Sequence, residues 1–295
     1  MTALQAFLKA QKEIWSRRGI VGFLYVFNVL MAAILTLPIG GRLDRLANRE
    51  LADHLIDGFA LDYVIEYFQK YGDSFQAIIA MLIGVGLFYV LTNTFLAGGI
   101  LGVLAREKRF RLRPFLHESA NMFGRFARLL LLSLVVLALL YFGVRLAVLS
   151  PLRNFADSAN PDVKFQVQLL SILITLLLIG FWNMLFDYAK ITIHSRDIGS
   201  VFVGFFSSVR FVLRHPLQTI GLYFLNYVIV AVLFVLYLVL ENQFSNTTAA
   251  STYGLLAVQQ LFILSRLWMK TSFFASQQIF YFDRHPEEAI QLAWE

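Results

Sequence analysis

The chain has 295 residues, of which 58% are hydrophobic and 15% charged, with a net charge of +6 at pH 7 and no cysteine. A water-soluble domain of this size needs far more charge to cover its surface, so the composition excludes an ordinary soluble fold. The lack of cysteine excludes disulfides and thiolate chemistry.

The first element, residues 1–18, is predicted to be an amphipathic helix that lies in the membrane interface. Its large apolar side chains share one helical face, and its lysines lie elsewhere. The apolar face comprises Leu4, Phe7, Leu8, Ile14 and Trp15. Similar basic and amphipathic stretches, Phe115–Arg128 and Val201–Arg214, precede the third and fifth apolar segments.

Six apolar segments follow in chain order, each long enough to cross a bilayer as a helix. Strands are excluded because these runs are continuous, whereas membrane barrels have short alternating segments. We therefore predict an all-α polytopic membrane protein, with residues 1–295 as a single transmembrane domain of six helices. The predicted crossings are Gly19–Leu37, Phe75–Leu104, Phe126–Leu149, Phe165–Ile193, Pro216–Leu240 and Tyr253–Phe282.

Residues 38–73 form the largest segment between predicted crossings, and we expect them to be an extracytoplasmic amphipathic segment. Glu50, His54 and Asp57 share one helical face there. That spacing is compatible with a metal site, but a solvated helix face explains it as well. We expect no metal and no cofactor.

The loops between the crossings alternate in charge, which predicts their orientation. One set holds sixteen basic residues and the other set seven, and short basic loops stay in the cytoplasm. Both termini are therefore predicted to be cytoplasmic. The basic residues at membrane edges are accounted for by anionic lipid headgroups, so we expect no nucleic-acid partner.

Arg-acid or Arg-His steps close the second, fourth and sixth apolar segments at nearly equal intervals. Arg106 and Arg196 are 90 residues apart, and Arg284 follows 88 residues later. In addition, the stretch ending at Asn28 matches the stretch ending at Asn226. These spacings suggest three tandem helical hairpins, each preceded by an interfacial helix.

Polar residues within the apolar segments suggest a layer across the membrane. Asn93 and Asn183 are also 90 residues apart, and Lys270 and Thr271 lie at nearly the same distance from their own closing arginine. This candidate intramembrane polar layer either contacts a solute or joins helices by hydrogen bonds. We expect Lys270 to face a polar group, with Asn93 and Asn183 as the best candidates.

Two local pairs complete the candidate residues. Asp187 and Lys190 are three residues apart and are predicted to form an ion pair, with a proton-relay role for Asp187 as the alternative. Gly98 and Gly102 form a small-x-x-x-small pair that lets two membrane helices approach closely.

The chain resembles a group of uncharacterised six-helix bacterial inner-membrane proteins. It is distantly similar to YciC-like proteins and to the membrane domains of some glycerophosphodiester phosphodiesterases. The likeness rests on Trp15-Ser16-Arg17-Arg18, on Ala97-Gly98-Gly99, and on Asp187-Tyr188-Ala189-Lys190-Ile191 followed by Arg196. The resemblance implies a membrane module without the catalytic barrel of those phosphodiesterases.

No catalytic motif accompanies this architecture, so we expect a non-enzymatic protein. We expect it to act in the bacterial cytoplasmic membrane as a scaffold, as an accessory subunit of a membrane complex, or as a lipid-interacting module. Its expected partners are membrane lipids and membrane proteins. The alternative is a transporter or channel for a small or amphipathic solute.

Overall fold

The computed structural model of the protein describes residues 1–46, 72–106, 109–157, 160–244 and 249–294. The described residues form helices joined by short connections and include no strand. The helices are α1 (Ala3–Ser16), α2 (Gly19–Leu46), α3 (Gly72–Arg106), α4 (Leu112–Val144), α5 (Ser150–Asp157), α6 (Pro161–Ser195), α7 (Val201–Arg214), α8 (Pro216–Glu241), α9 (Ala249–Arg284) and α10 (Pro286–Trp294), and a π-helical turn, Arg145–Leu149, joins α4 to α5.

Four of the described helical segments are long and apolar enough to cross a membrane. They are Ile83–Arg106, Leu112–Asn154, Pro161–Ser195 and Pro216–Glu241, and the bent pair Ala3–Ser16 and Gly19–Ile34 brings the number to five if it counts as one span. The all-α prediction is confirmed to this extent. Helix α9, the predicted sixth crossing, is not among these spans, because polar residues interrupt its apolar run.

Two predicted boundaries differ from the observed helices. Helix α2 continues through Pro38 to Leu46, whereas the sequence places the end of the crossing at Leu37. The second interfacial stretch, Phe115–Arg128, is not a separate helix but the first part of α4. No proline or capping residue interrupts it, whereas His215-Pro216 separates α7 from α8. Residues 47–71, which include Glu50, His54 and Asp57, lie outside the described residues.

The spaced arginines lie at helix ends. Helix α3 ends at Arg106, Arg196 caps α6, and α9 ends at Arg284. After α6, Asp197 adopts a left-handed φ of 48°, and the amide of Ile198 donates to the carbonyl of Ile193 at 3.2 Å. This pattern is a Schellman C-cap, which stops the helix at the Arg-Asp step.

The chain packs as two compact units. One unit comprises Gly22–Asn93 and the other comprises Met1–Val21 together with Thr94–Glu295. Within Gly22–Asn93, the rings of Phe23 and Phe27 lie with their centroids 6.1 Å apart, and Asn28 donates to the carbonyl of Leu24 at 2.7 Å. The larger unit carries the site residues considered below, apart from Asn93.

In the larger unit, α9 lies against α1, α6, α8 and α10. Helix α1 begins with a capping box between Thr2 and Gln5 and buries its small face, Ala6 and Ala10, together with Ile14. Small side chains let two helix backbones approach closely. The large apolar side chains Leu4, Leu8 and Trp15 are exposed on the other faces.

The buried part of the larger unit lies at one end of its long helices. In α4, the buried residues end at Leu129, and in α6 they begin at Trp182. In α8, they end at Asn226. The remaining lengths of these helices expose their apolar side chains, including Leu131, Leu134, Leu139, Leu173, Leu176, Val232, Val235 and Val239.

Candidate functional site

A chain of hydrogen-bonded side chains crosses the core between α1, α8 and α9. The indole of Trp268 donates to the amide oxygen of Gln11 at 2.7 Å, and the Gln11 amide donates to the Ser272 hydroxyl at 2.6 Å. Ser272 donates to Asn226 Oδ1 at 3.3 Å, and Asn226 donates to the Ser276 hydroxyl at 3.2 Å. Residues 268, 272 and 276 are four apart, so they share one face of α9.

Asn226 is the centre of this network and is fully buried. Its second amide hydrogen is donated to the carbonyl of Leu222 at 2.9 Å. The sequence singles out Asn226 only as the repeat counterpart of Asn28, which makes the same bond to a carbonyl four residues before it. The serines of α9, spaced by one turn, were the available sequence signal for this layer.

The predicted layer of Asn93, Asn183, Lys270 and Thr271 is not assembled as expected. Asn183 is exposed on α6 and makes no hydrogen bond within the described residues, so its assignment is wrong. Thr271 is fully buried, but it donates to the carbonyl of Leu267 at 3.0 Å, within its own helix. Asn93 donates to the carbonyl of Tyr89 at 2.8 Å in the other compact unit, and its link to the half-buried Lys270 stays a prediction.

Asp187 and Lys190 lie together on α6. Lys190 Nζ is 3.0 Å from Asp187 Oδ1, with both side chains largely shielded from solvent. The ammonium also lies 5.6 Å from the ring centroid of Phe274 on α9. Lys190 is therefore held by a carboxylate within its own helix and by an aromatic ring on a neighbouring helix.

Glycines bring α3 against α4. A Cβ at Gly98 would lie 2.9 Å from Met122 Cβ, and one at Gly102 would lie 2.6 Å from Glu118 Cγ. The tightest contact is at Gly99, where a Cβ would meet the Ser119 hydroxyl and lie 2.7 Å from the Phe115 carbonyl oxygen. The small-x-x-x-small motif in the sequence identifies Gly98 and Gly102 but does not include Gly99.

Glu118 is a buried acid that sequence reasoning did not identify. Glu118 is only 8% exposed, and its Oε1 accepts a hydrogen bond from Arg106 at 2.6 Å. Its other carboxylate oxygen lies 3.9 Å from Nε2 of the buried His194. The pair ties the last residue of α3 to α4, and no sequence spacing predicts it, because the two residues lie on different helices.

Several buried polar atoms have no hydrogen-bond partner among the described residues. They include both amide atoms of Gln277, the Tyr188 hydroxyl and both ring nitrogens of His194. Buried polar groups are normally paired, so each of these groups is a place where a water or a solute would gain hydrogen bonds.

The described residues include no group of three or more His, Cys, Asp or Glu side chains that could hold a metal ion. His117, His194, His215 and His285 lie near helix ends in the described part of the chain.

No family model, curated protein or solved structure matches the chain.

Proposed function

We propose that the protein is a non-enzymatic integral membrane protein that works by holding lipids and neighbouring membrane helices. In this proposal it resides in a bacterial cytoplasmic membrane with both termini inside. In this proposal the chain crosses six times as three hairpins, with α9 as the sixth crossing. Of the possible roles, a lipid-interacting module is favoured over a scaffold or accessory subunit.

The exposed apolar surface of the long helices carries this proposal. Only 6% of the apolar window in residues 112–154 is buried, against 22% in residues 161–195 and 17% in residues 216–241. Apolar side chains exposed over most of a long helix mark a surface that contacts lipid or a partner protein. The basic residues at the helix ends supply the matching attraction to anionic headgroups.

Purification of the full-length protein in a mild detergent tests the proposal. We expect lipid to remain bound after size-exclusion chromatography, in amounts measurable by mass spectrometry. A monomer that retains neither lipid nor a second protein would contradict the proposal.

A transporter is the second candidate, because Gln277, Tyr188 and His194 present buried polar atoms that have no hydrogen-bond partner among the described residues. The charged side chain whose role in transport should be tested is Lys270 on α9. Solute flux into vesicles that is lost on Lys270→Ala but retained on Arg266→Ala, an exposed cation on the same helix, would favour the transporter.

A further inference from the structure

A strongly basic pocket of about 410 Å³ lies where α6, α7, α8 and α9 meet. Its lining includes four arginines and two histidines but no carboxylate, and these basic residues are Arg196, Arg210, Arg214, Arg284, His215 and His285. Its volume is within the range of about 300–1,000 Å³ typical of small-molecule sites.

Three of these arginines have no neutralising carboxylate among the described residues. Within the described part of the chain, Arg210, Arg214 and Arg284 have no carboxylate at salt-bridge distance. Arg196 is the exception, since its Nε donates to Glu288 at 2.8 Å. Arg210 and Arg214 are one helical turn apart, so their like charges repel each other until an anion binds between them.

The pocket is built on a packed aromatic base rather than on loose side chains. The ring of Phe211 lies 5.0 Å from Tyr281 and 5.5 Å from His285, measured between centroids. His285 also stacks on Tyr281 at 4.5 Å and is hydrogen-bonded to the Tyr281 carbonyl at 3.2 Å. These contacts fix the positions of the helices that carry the arginines.

The N-terminus of α8 adds to the positive potential. His215 precedes the first helical residue, Pro216, and lines the pocket. The N-terminal end of a helix carries a partial positive charge and unpaired amide groups, which favour a phosphate nearby. Arginine guanidinium groups match phosphate oxygens in geometry and can bind them with two hydrogen bonds.

We propose that this pocket binds a phosphate group, and that the group is the headgroup phosphate of an anionic membrane lipid. The inference rests on the proposed function, because the pocket lies at the helix ends that the charge pattern places at the cytoplasmic surface. Exposed apolar side chains on the same elements, Phe206 and Leu213 on α7 and Leu217 on α8, provide neighbouring surface for acyl chains. A free phosphate ion would use the same arginines without this apolar surface.

The test uses the full-length protein and the double variant Arg210→Gln/Arg214→Gln. Its matched control is Arg111→Gln/Arg113→Gln, which removes two exposed arginines outside the pocket. Native mass spectrometry would measure the binding of phosphatidylglycerol, of diacylglycerol with the same acyl chains, and of inorganic phosphate. In detergent no anionic membrane surface attracts the exposed control arginines, whereas the pocket arginines would bond the phosphate directly. The pocket variant is therefore expected to bind phosphatidylglycerol at least about 30-fold more weakly.

The control variant is expected to bind like the wild type, and diacylglycerol binding is expected to be the same in all three proteins. Loss of phosphatidylglycerol binding in the pocket variant alone supports a lipid headgroup. Loss of inorganic phosphate binding alone supports a phosphate site for a free anion. Equal affinity in the wild type and the pocket variant, or an equal loss in the control, would overturn the proposal.

A second variant tests the pocket independently, in case the double arginine variant does not fold. Ser207→Asp places a carboxylate in the pocket lining and keeps all four arginines, and it is expected to weaken phosphatidylglycerol binding to a similar degree. Unchanged binding in folded Ser207→Asp would also count against the pocket. If the wild type and the variants bind phosphatidylglycerol and diacylglycerol with the same affinities, the proposed pocket site is wrong, while the broader proposal of lipid binding stands.

Discussion

The side-chain amide of Asn226 on α8 donates to the hydroxyl of Ser276 on α9 at 3.2 Å, and both residues are fully buried. Asn226 Oδ1 accepts from Ser272 at the same time, so one amide joins α8 to two successive turns of α9. A buried amide with all its bonds made specifies the register of two helices, which apolar contacts alone specify poorly.

Replacement of Asn226 by leucine is expected to destabilise the protein by about 1–3 kcal/mol, because Ser272 and Ser276 lose their buried partner. Asn183→Leu is the matched control, since Asn183 is exposed on α6 and makes no hydrogen bond in the described part of the chain. Thermal unfolding in detergent would measure both. Equal midpoints for the two variants would contradict a structural role for the network.

The contrast between these two asparagines shows what the sequence could predict. The positions of the apolar helices follow from composition, and the observed C-terminal ends of α3, α6 and α9 lie two residues beyond the predicted C-terminal ends. Counting residues from a helix end also gives depth along the helix. It does not give the direction of a side chain, because each residue turns by about 100° around the helix axis. Asn183 and Asn226 could therefore be distinguished only by the packing between helices.

The ion pair of Glu118 and Arg106 is expected to matter more than a surface pair. Glu118→Ala should cost about 1–3 kcal/mol, because it removes the charge-assisted hydrogen bond that joins Arg106 to a carboxylate whose side chain is only 10% exposed. The double variant Glu118→Leu/Arg106→Met should recover part of this loss by removing both charges. Urea unfolding in detergent would measure the free energies of unfolding of the wild type and of the two variants.

Asp197→Asn is the control for that experiment. It removes the carboxylate that pairs with Arg125, but the Asp197 side chain is 71% exposed and asparagine tolerates its left-handed backbone. A loss below about 1 kcal/mol is expected for such an exposed pair. A larger loss for Asp197→Asn than for Glu118→Ala would refute the assignment of Glu118 as the stabilising acid.

Gly99→Ala is expected to destabilise the contact between α3 and α4 by about 1–3 kcal/mol, because the added methyl group overpacks a tight interface. The backbone oxygen of Phe115, 2.7 Å from the new atom, cannot move without shifting α4. Gly143→Ala, where a Cβ meets nothing within 4 Å, is expected to be neutral or to stabilise the helix by up to about 1 kcal/mol. Unfolding midpoints of the two alanine variants in one detergent should differ in this direction, and the reverse order would contradict the packing.

The stability of the protein is expected to depend on the protonation of His215. Partial burial lowers the pKa of His215, and the charges of Arg284, His285 and Arg214 lower it further. The unfolded chain, with a histidine pKa of about 6.5, therefore binds this proton more tightly than the folded chain. The stability that His215 contributes is present above that pH and is lost as the pH falls toward the folded pKa.

His215→Gln should reduce this dependence, since glutamine does not titrate. The midpoint of thermal unfolding between about pH 7.5 and pH 5.5 is expected to fall less in the variant than in the wild type. Saturating phosphatidylglycerol should reduce the fall in the wild type, because a bound phosphate stabilises the protonated imidazole. Parallel pH profiles for wild type and variant would contradict the lowered pKa.

The orientation of the chain in the membrane is tested most directly by single cysteines, because the natural sequence has none. Ala47→Cys, Asn160→Cys and Ser200→Cys would be treated with a membrane-impermeant maleimide in intact and in permeabilised cells. We expect labelling at positions 47 and 160 in intact cells, and labelling at position 200 only after permeabilisation. Labelling at position 200 in intact cells, or at position 47 only after permeabilisation, would contradict the placement of the basic helix ends at the cytoplasmic surface.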